Sequence, residues 1–218
     1  MAELRTEEEQ VEAIKSWWKS NGTSLVTTVA IALAAVFGWK AWQQKQLNDA
    51  EAASVAYQTL TQAIALNVRQ PSDDNKATAI HLANELKTEH EGTEYARLAA
   101  LMLARVYVDQ KEYDQALSEV NAVLAQELSP EMKNVATMRK AQLLMALEKY
   151  DEALTSVDEV TAEPFKAAAL ELKGDIQVAQ GDKAAARTAY QAALDALGAN
   201  ANAQLITVKL NDLAVEES

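Results

Sequence analysis

The side chains that most often carry covalent chemistry are scarce in this 218-residue chain. There is no cysteine, hence no thiol nucleophile and no thiolate metal site. His81 and His90 are the only histidines and lie nine residues apart. They lack the His-Glu-x-x-His spacing that sets two imidazoles on one helix face, and read as surface histidines. Ser16-Trp17-Trp18-Lys19 matches the Ser-x-x-Lys pattern of a lysine-activated serine, but no companion motif accompanies it. Asn21-Gly22-Thr23 formally matches a glycosylation acceptor and reads instead as a break beside an apolar run. No glycine-rich phosphate loop is present. The sequence therefore predicts no enzyme, no metal and no cofactor, and the chemistry left to it is recognition.

Recognition needs elements that present a face, and these are written as a repeat. Lys-Glu-Tyr-Asp-Gln-Ala-Leu at 111–117 returns as Glu-Lys-Tyr-Asp-Glu-Ala-Leu at 148–154. A weaker third copy is Gly-Asp-Lys-Ala-Ala-Ala-Arg at 181–187. The aligned Ala116, Ala153 and Ala186 are 37 and 33 residues apart, close to the helix-turn-helix period of tetratricopeptide (TPR) repeats. Twelve residues before each stands another small residue: Ala104, Ala141 and Gly174. Paired small residues in register suit two helices whose backbones cross closely, where a larger side chain costs roughly 1–3 kcal/mol of strain. Breaks at Ser129-Pro130, Pro164, Gly181 and Gly198 divide the region into helix pairs over 93–126, 130–160 and 164–197. Residues 201–213 remain as a C-terminal cap, and the segments flanking Pro71 form a degenerate first repeat. Repeat alignment puts Leu101, Arg105, Asp109, Met138, Gln142, Met145, Glu171 and Asp175 on the inner faces of the first helices. These are the candidate partner-binding groove, and adaptable methionines would suit apolar segments. The competing reading is that Met138 and Met145 are core. The Lys/Asn/Arg set that clamps a free carboxyl terminus is missing, so no preference for C-termini is expected.

Upstream, the twenty residues Ser20 to Trp39 carry no charge. That length of helix matches a hydrocarbon core of about 30 Å. Leu25, Val26, Val29, Ile31, Leu33, Val36 and Phe37 contribute about −2 to −4 kcal/mol to insertion. All four tryptophans bracket the window: Trp17 and Trp18 before it, Trp39 and Trp42 after it. Trp18 and Trp39 lie about 31 Å apart along a helix, the separation of the two membrane interfaces. Lys19 and Lys40 are placed to snorkel outward at each end. The lead before the window holds five acids and three bases, unlike the basic start of a signal peptide. Thr6 with Glu9 forms a capping box opening a short amphipathic helix, which Asn21-Gly22 is expected to end. The chain beyond Trp42 is expected to continue as a helical stalk until Pro71, where Ser72 or Asp73 caps the next helix.

Net charge is −12, of which −10 falls in 61–218 without a Lys/Arg cluster. This argues against nucleic acid and against adsorption to anionic lipid. Arg5, Lys15 and Lys19 precede the window and Lys40 and Lys45 follow it, a small bias toward an inside N-terminus.

Several blocks resemble the YfgM-type ancillary subunit family of the Sec translocon: Glu-Gln-Val-Glu-Ala-Ile-Lys (9–15), Trp-Trp-Lys-Ser-Asn-Gly (17–22), Phe-Gly-Trp-Lys-Ala-Trp (37–42), Ala-Ser-Val-Ala-Tyr-Gln (53–58), the stretch 172–187, and Val-Lys-Leu-Asn-Asp-Leu (208–213). The chain departs from it at Glu163-Pro164-Phe165, where the family is expected to carry Gly-Trp. The resemblance implies an all-α bacterial inner-membrane protein. Its parts would be a cytoplasmic segment (1–22), a single transmembrane helix in the bilayer (23–42), a stalk helix (43–72) and a periplasmic TPR-like domain (73–218). It also implies association with the SecYEG translocon, with the membrane-anchored periplasmic chaperone PpiD, and with unfolded client polypeptides handed to periplasmic chaperones. The alternative from the residues alone is a TPR adaptor facing the cytoplasm.

Overall fold

The computed structural model describes residues 7–197 and 203–215. Thr6, Gly198 and Ala201, which the sequence reading uses as a helix cap, a break and the start of the terminal cap, lie outside them. Every regular element among the described residues is an α-helix. They are α1 (Glu7–Arg69), α2 (Asp73–Glu89), α3 (Glu94–Val108), α4 (Tyr113–Leu124), α5 (Pro130–Ala146), α6 (Tyr150–Asp158), α7 (Glu163–Gln180), α8 (Lys183–Ala196) and α9 (Gln204–Val215). The chain divides into two units, residues 1–52 and 53–218, and α1 contributes to both.

In the first unit α1 is unbroken through Asn21-Gly22, which corrects the expected helix end there. One glycine costs about 1 kcal/mol in a helix interior, too little by itself to stop a helix of this length. Local contacts also hold the turn. The Asn21 side chain donates to the Trp17 carbonyl at 3.2 Å, and Ser20 Oγ donates to the same carbonyl at 3.1 Å. The Trp18 indole lies over Gly22, so close that a Cβ there would sit 3.2 Å from the ring. Thr27 and Thr28 donate their hydroxyls to the carbonyls four residues back, at 2.8 Å each, which satisfies these polar groups within the helix. The seven large apolar residues of the window are all exposed, between 42 % for Leu25 and 65 % for Ile31 and Phe37. This excludes the buried core helix that the length alone would allow. α1 is the one helix among the described residues long and apolar enough to cross a membrane.

The second unit is a solenoid of helix pairs. Its first layer uses the end of α1: Ala53 and Leu60 are fully buried against Ala83 and Leu86 of α2 and Ala99 and Leu103 of α3. Tyr57 and Tyr95 pack ring on ring at 5.5 Å. The later part of the expected stalk is therefore core. α1 stops at Arg69, two residues before Pro71, and Ser72 Oγ accepts from the Asn75 amide to cap α2. Thr93 caps α3 and Ser129 caps α5 in the same way. Pro164 occupies the first turn of α7, where a missing N–H costs nothing, so the Glu-Pro-Phe departure leaves an ordinary helix start.

The pairs α3/α4, α5/α6 and α7/α8 pack through the small residues. Ala104, Ala116, Ala141, Ala153 and Ala186 are each at most 3 % exposed, and Gly174 is buried. At Gly174 the need is steric, since a Cβ would fall 2.4 Å from the Tyr190 ring. Two core clusters fill the successive pairs. One joins Leu101, Val120, Val123 and Leu143, the other Leu144, Val157, Leu172 and Ile176. α9 seals the last pair, with Ile206 and Leu213 buried against Ala186, Tyr190 and Ala193.

Candidate partner groove

A concavity opens between α3 and α5. A groove of about 550 Å³ is lined by Leu98, Leu101, Met102 and Arg105 from α3 and by Met132, Val135 and Arg139 from α5, with Glu94, Ser129 and Glu131 at its rim. A recess of about 130 Å³ opens beneath it, floored by Ala104, Val120 and Leu143 and bordered by Gln142 and Arg139. On the other side of Arg105 lies a wider, more polar hollow of about 740 Å³, bounded by Asn67, Val68, Lys76 and Asp109. Arg105 thus stands where three hollows meet.

The position of the groove follows from helix lengths. Within each pair the small residues are twelve apart (104/116, 141/153, 174/186). From Ala116 to Ala141 is 25 residues, whereas from Ala153 to Gly174 is 21. The extra length is one helical turn, because α4 has 12 residues and α6 has 9, and the turn after α4 is one residue longer. Where the connection is short, α5 packs directly on α7. Where it is long, the groove stands between α3 and α5.

The eight groove residues expected from the repeat are not brought together. Leu101, Arg105 and Gln142 line the groove and its recess, and Asp109 lines the wider hollow. Met138 and Met145 turn the other way and pack against the core beneath α5–α7. The groove methionines are Met102 and Met132, one position along from Leu101 and six before Met138. The repeat register placed residues on α3 and α5, the helices that border this groove. It missed these two because a shift of 100° per residue around a helix decides which edge of the inner face meets the gap.

Glu171 and Asp175 have a different role. Lys209 of α9 donates to Glu171 Oε1 at 2.7 Å and to both oxygens of Asp175 at 2.7 and 2.8 Å. Tyr190 donates its hydroxyl to Asp175 at 2.7 Å, and the ammonium lies 5.8 Å from the Tyr190 ring. Burial, followed by the Asp175 hydrogen bond and the nearby carboxylates, pushes the Tyr190 phenol well above its ordinary range. For Lys209, burial lowers the pKa, but the hydrogen bonds and charges of Asp175 and Glu171 outweigh it and the net shift is upward. These two carboxylates are occupied by the cap, so they are closed to a ligand while α9 is in place. Val-Lys-Leu-Asn-Asp-Leu marks Lys209 as a lone lysine on an apolar helix face, but carries no signal of which carboxylates it meets.

Charge in the groove is uneven. Arg105 pairs with Asp109 at 2.8 Å and Arg97 with Glu94 at 3.0 Å. Arg139 has no ion pair or hydrogen bond among the described residues. No group of His, Cys, Asp and Glu among the described residues could hold a metal ion.

Trp17, Trp18, Trp39 and Trp42 are all more than half exposed, and Trp39 and Trp42 stack at 5.0 Å. Lys19 and Lys40 are exposed on either side of the uncharged window.

Comparison with known proteins agrees with this architecture. A tetratricopeptide repeat-like domain model matches residues 15–215. An ancillary SecYEG translocon subunit from Aggregatibacter actinomycetemcomitans is 35% identical over 213 residues, covering 98% of this chain and 100% of that protein. One from Escherichia coli (strain K12) is 30% identical over 209 residues, covering 96% and 97%. Among solved structures, MamA 41-end from Desulfovibrio magneticus RS-1 superposes with a TM-score of 0.54 at 16% identity, over 74% of this chain and 85% of that one. A tetratricopeptide repeat protein from Parabacteroides merdae superposes with 0.55 at 15% identity, over 74% and 61%. At such identities these two structures speak to the fold alone. The long apolar helix, the helix-pair solenoid and the full-length likeness together place the chain in the family of ancillary SecYEG translocon subunits, built on a tetratricopeptide repeat-like domain.

Proposed function

We propose that the chain is a non-enzymatic inner-membrane interaction protein that associates with the SecYEG translocon. Residues 23–42 cross the bilayer, the N-terminus is cytoplasmic, and the repeat unit is periplasmic. There it also meets a membrane-anchored chaperone of the PpiD type and helps pass translocated polypeptides to periplasmic chaperones. One observation carries the reading: the likeness to the translocon subunits runs through the apolar window as well as the repeats, at 35% identity over 213 residues. The exposed apolar window and its flanking tryptophans support the membrane part.

Two experiments test it. Affinity purification of the full chain from detergent-solubilised membranes is expected to bring down SecYEG and the chaperone. Absence of SecYEG at any detergent that keeps the channel intact would remove the association. Alkaline phosphatase fused after Ser218 is expected to be active, since the enzyme matures only outside the cytoplasm. An inactive fusion would put the repeats on the other side and favour the cytoplasmic adaptor.

A further inference from the structure

We infer that the α3–α5 groove binds an apolar segment of a partner protein through an acidic side chain, which Arg139 receives. The inference rests on the reading of the repeat unit as a binding module, and it names the chemistry of what that module holds.

The argument is one of complementarity. Leu98, Leu101, Met102, Met132 and Val135 give the groove an apolar lining about 550 Å³ in extent. Apolar surface of that kind is buried by side chains of matching character, at roughly 25 cal/mol per Å² removed from water. Met102 and Met132 have unbranched, polarisable side chains that adapt to different shapes, so the lining fixes apolarity rather than one sequence. The charged residues supply direction. The unit that carries the groove accounts for most of a net charge of −12, and its other basic groups near the groove are engaged. Arg97 is held by Glu94 and Arg105 by Asp109. Arg139 alone borders both the groove and its deeper recess without a counter-ion. Arg139 is exposed at the groove edge, and its guanidinium beside apolar walls offers a carboxylate a paired, directional contact. The unit is net negative, so an acidic residue that enters the groove is drawn to the cation at its edge. A basic residue at that point would instead meet the Arg139 guanidinium and be repelled, and would be drawn toward Glu131 on the rim.

The test uses the full chain in detergent micelles and three fluorescein-labelled amphipathic 14-residue peptides. They share a leucine stripe and differ only at one central position: Glu, Gln or Lys. Fluorescence anisotropy is expected to rank them Glu, then Gln, then Lys, with about threefold between the first two, as an exposed ion pair supplies. Arg139→Gln is expected to remove that threefold while leaving the Gln peptide unchanged. Val135→Asp is expected to abolish binding of all three, and Lys149→Gln, on the far side of the repeat, to change none. Equal binding of the Glu and Gln peptides, or an Arg139→Gln variant that keeps the preference, would overturn the inference. So would no binding by any peptide. Mass photometry of the same sample guards against self-association: a dimer dissolved by Arg139→Gln would assign the groove to a second copy and overturn the partner reading. SecYEG co-purification is scored separately on the wild-type chain, so loss of charge preference and loss of translocon association are distinct outcomes.

Discussion

Lys111, Glu148 and Gly181 occupy equivalent turns, 37 and 33 residues apart, and all three adopt left-handed backbone (φ 62°, 60° and 91°). The hydrogen bonds repeat as well. The N–H of Lys111 meets the Val108 carbonyl and that of Glu112 the Tyr107 carbonyl. Glu148 and Lys149 repeat the pattern on Met145 and Leu144, and Gly181 and Asp182 repeat it on Val178 and Gln177. This is the Schellman closure of a helix, and it favours glycine. A side chain in that region costs about 1–2 kcal/mol, against about 0.5–1 for glycine's extra freedom in the unfolded chain. Lys111→Gly and Glu148→Gly are therefore expected to stabilise the repeat unit by about 0.5–1 kcal/mol each, and Gly181→Ala to destabilise it by about 1 kcal/mol. Urea denaturation followed by circular dichroism measures all three. Gly174→Ala is expected to cost about 1–3 kcal/mol, because the Tyr190 ring lies where the methyl must go. Pairing it with Tyr190→Leu should return part of the loss, and a purely additive double variant would refute the steric account. The alignment that found Gly181 could not announce the same conformation at Lys111 and Glu148, because their side chains carry no sign of it. Only the closed turn reveals it.

At the scale of elements, α9 is held by one lysine as much as by its apolar face. Lys209 and Tyr190 both have folded-state pKa values raised above the 10.5 and 10.0 of free side chains. The folded state thus binds these protons more tightly than the unfolded one. Their contribution is complete below about pH 10 and is lost as pH climbs through the folded values. The melting temperature is expected to be level from pH 7 to 9 and to fall above pH 10. Lys209→Met is expected to weaken that alkaline fall and to cost about 1 kcal/mol at neutral pH, since the cluster is only partly buried. An unchanged alkaline limb would remove Lys209 from the account. The helix pairs themselves were legible, because alanines at fixed spacing and the Ser-Pro and Gly breaks are local signals. What Glu171 and Asp175 hold was not, because Lys209 stands 38 and 34 residues away and no periodicity links them. Gly22 misled for the opposite reason. A breaker was read by type, whereas the Trp18 ring lying over it decided the outcome.

For the whole molecule, the two units answer to different solvents. The window of unit one gains only about 2–4 kcal/mol from its large apolar residues, and each lysine at its centre costs about 2.5–3.5 kcal/mol. Val29→Lys combined with Leu33→Lys is expected to reverse the sign and release the chain from membranes, read by alkaline carbonate extraction. A variant still recovered in the pellet would show that something other than the window retains it. The family and the helix-pair architecture could be read from residues, since both rest on blocks contiguous in sequence. The groove could be read only as far as its helices, since its width depends on how far apart α3 and α5 are held.

That spacing has a consequence for which changes to the chain would alter the groove. The gap is dimensioned by the extra turn of α4, a helix in the opposite layer whose outward residues touch nothing in the groove. A scan that replaces lining side chains one by one would assign affinity to Leu101 or Val135 and never visit the segment that sets the width. Insertions and deletions would act there instead. Removing four residues around 121–124 shortens the rung without deleting a groove-lining side chain, though it takes Val123 out of the core, and adding four lengthens it. The repeat unit thus carries a gauge set by length rather than by composition, one that changes what fits between the helices while every lining residue stays the same.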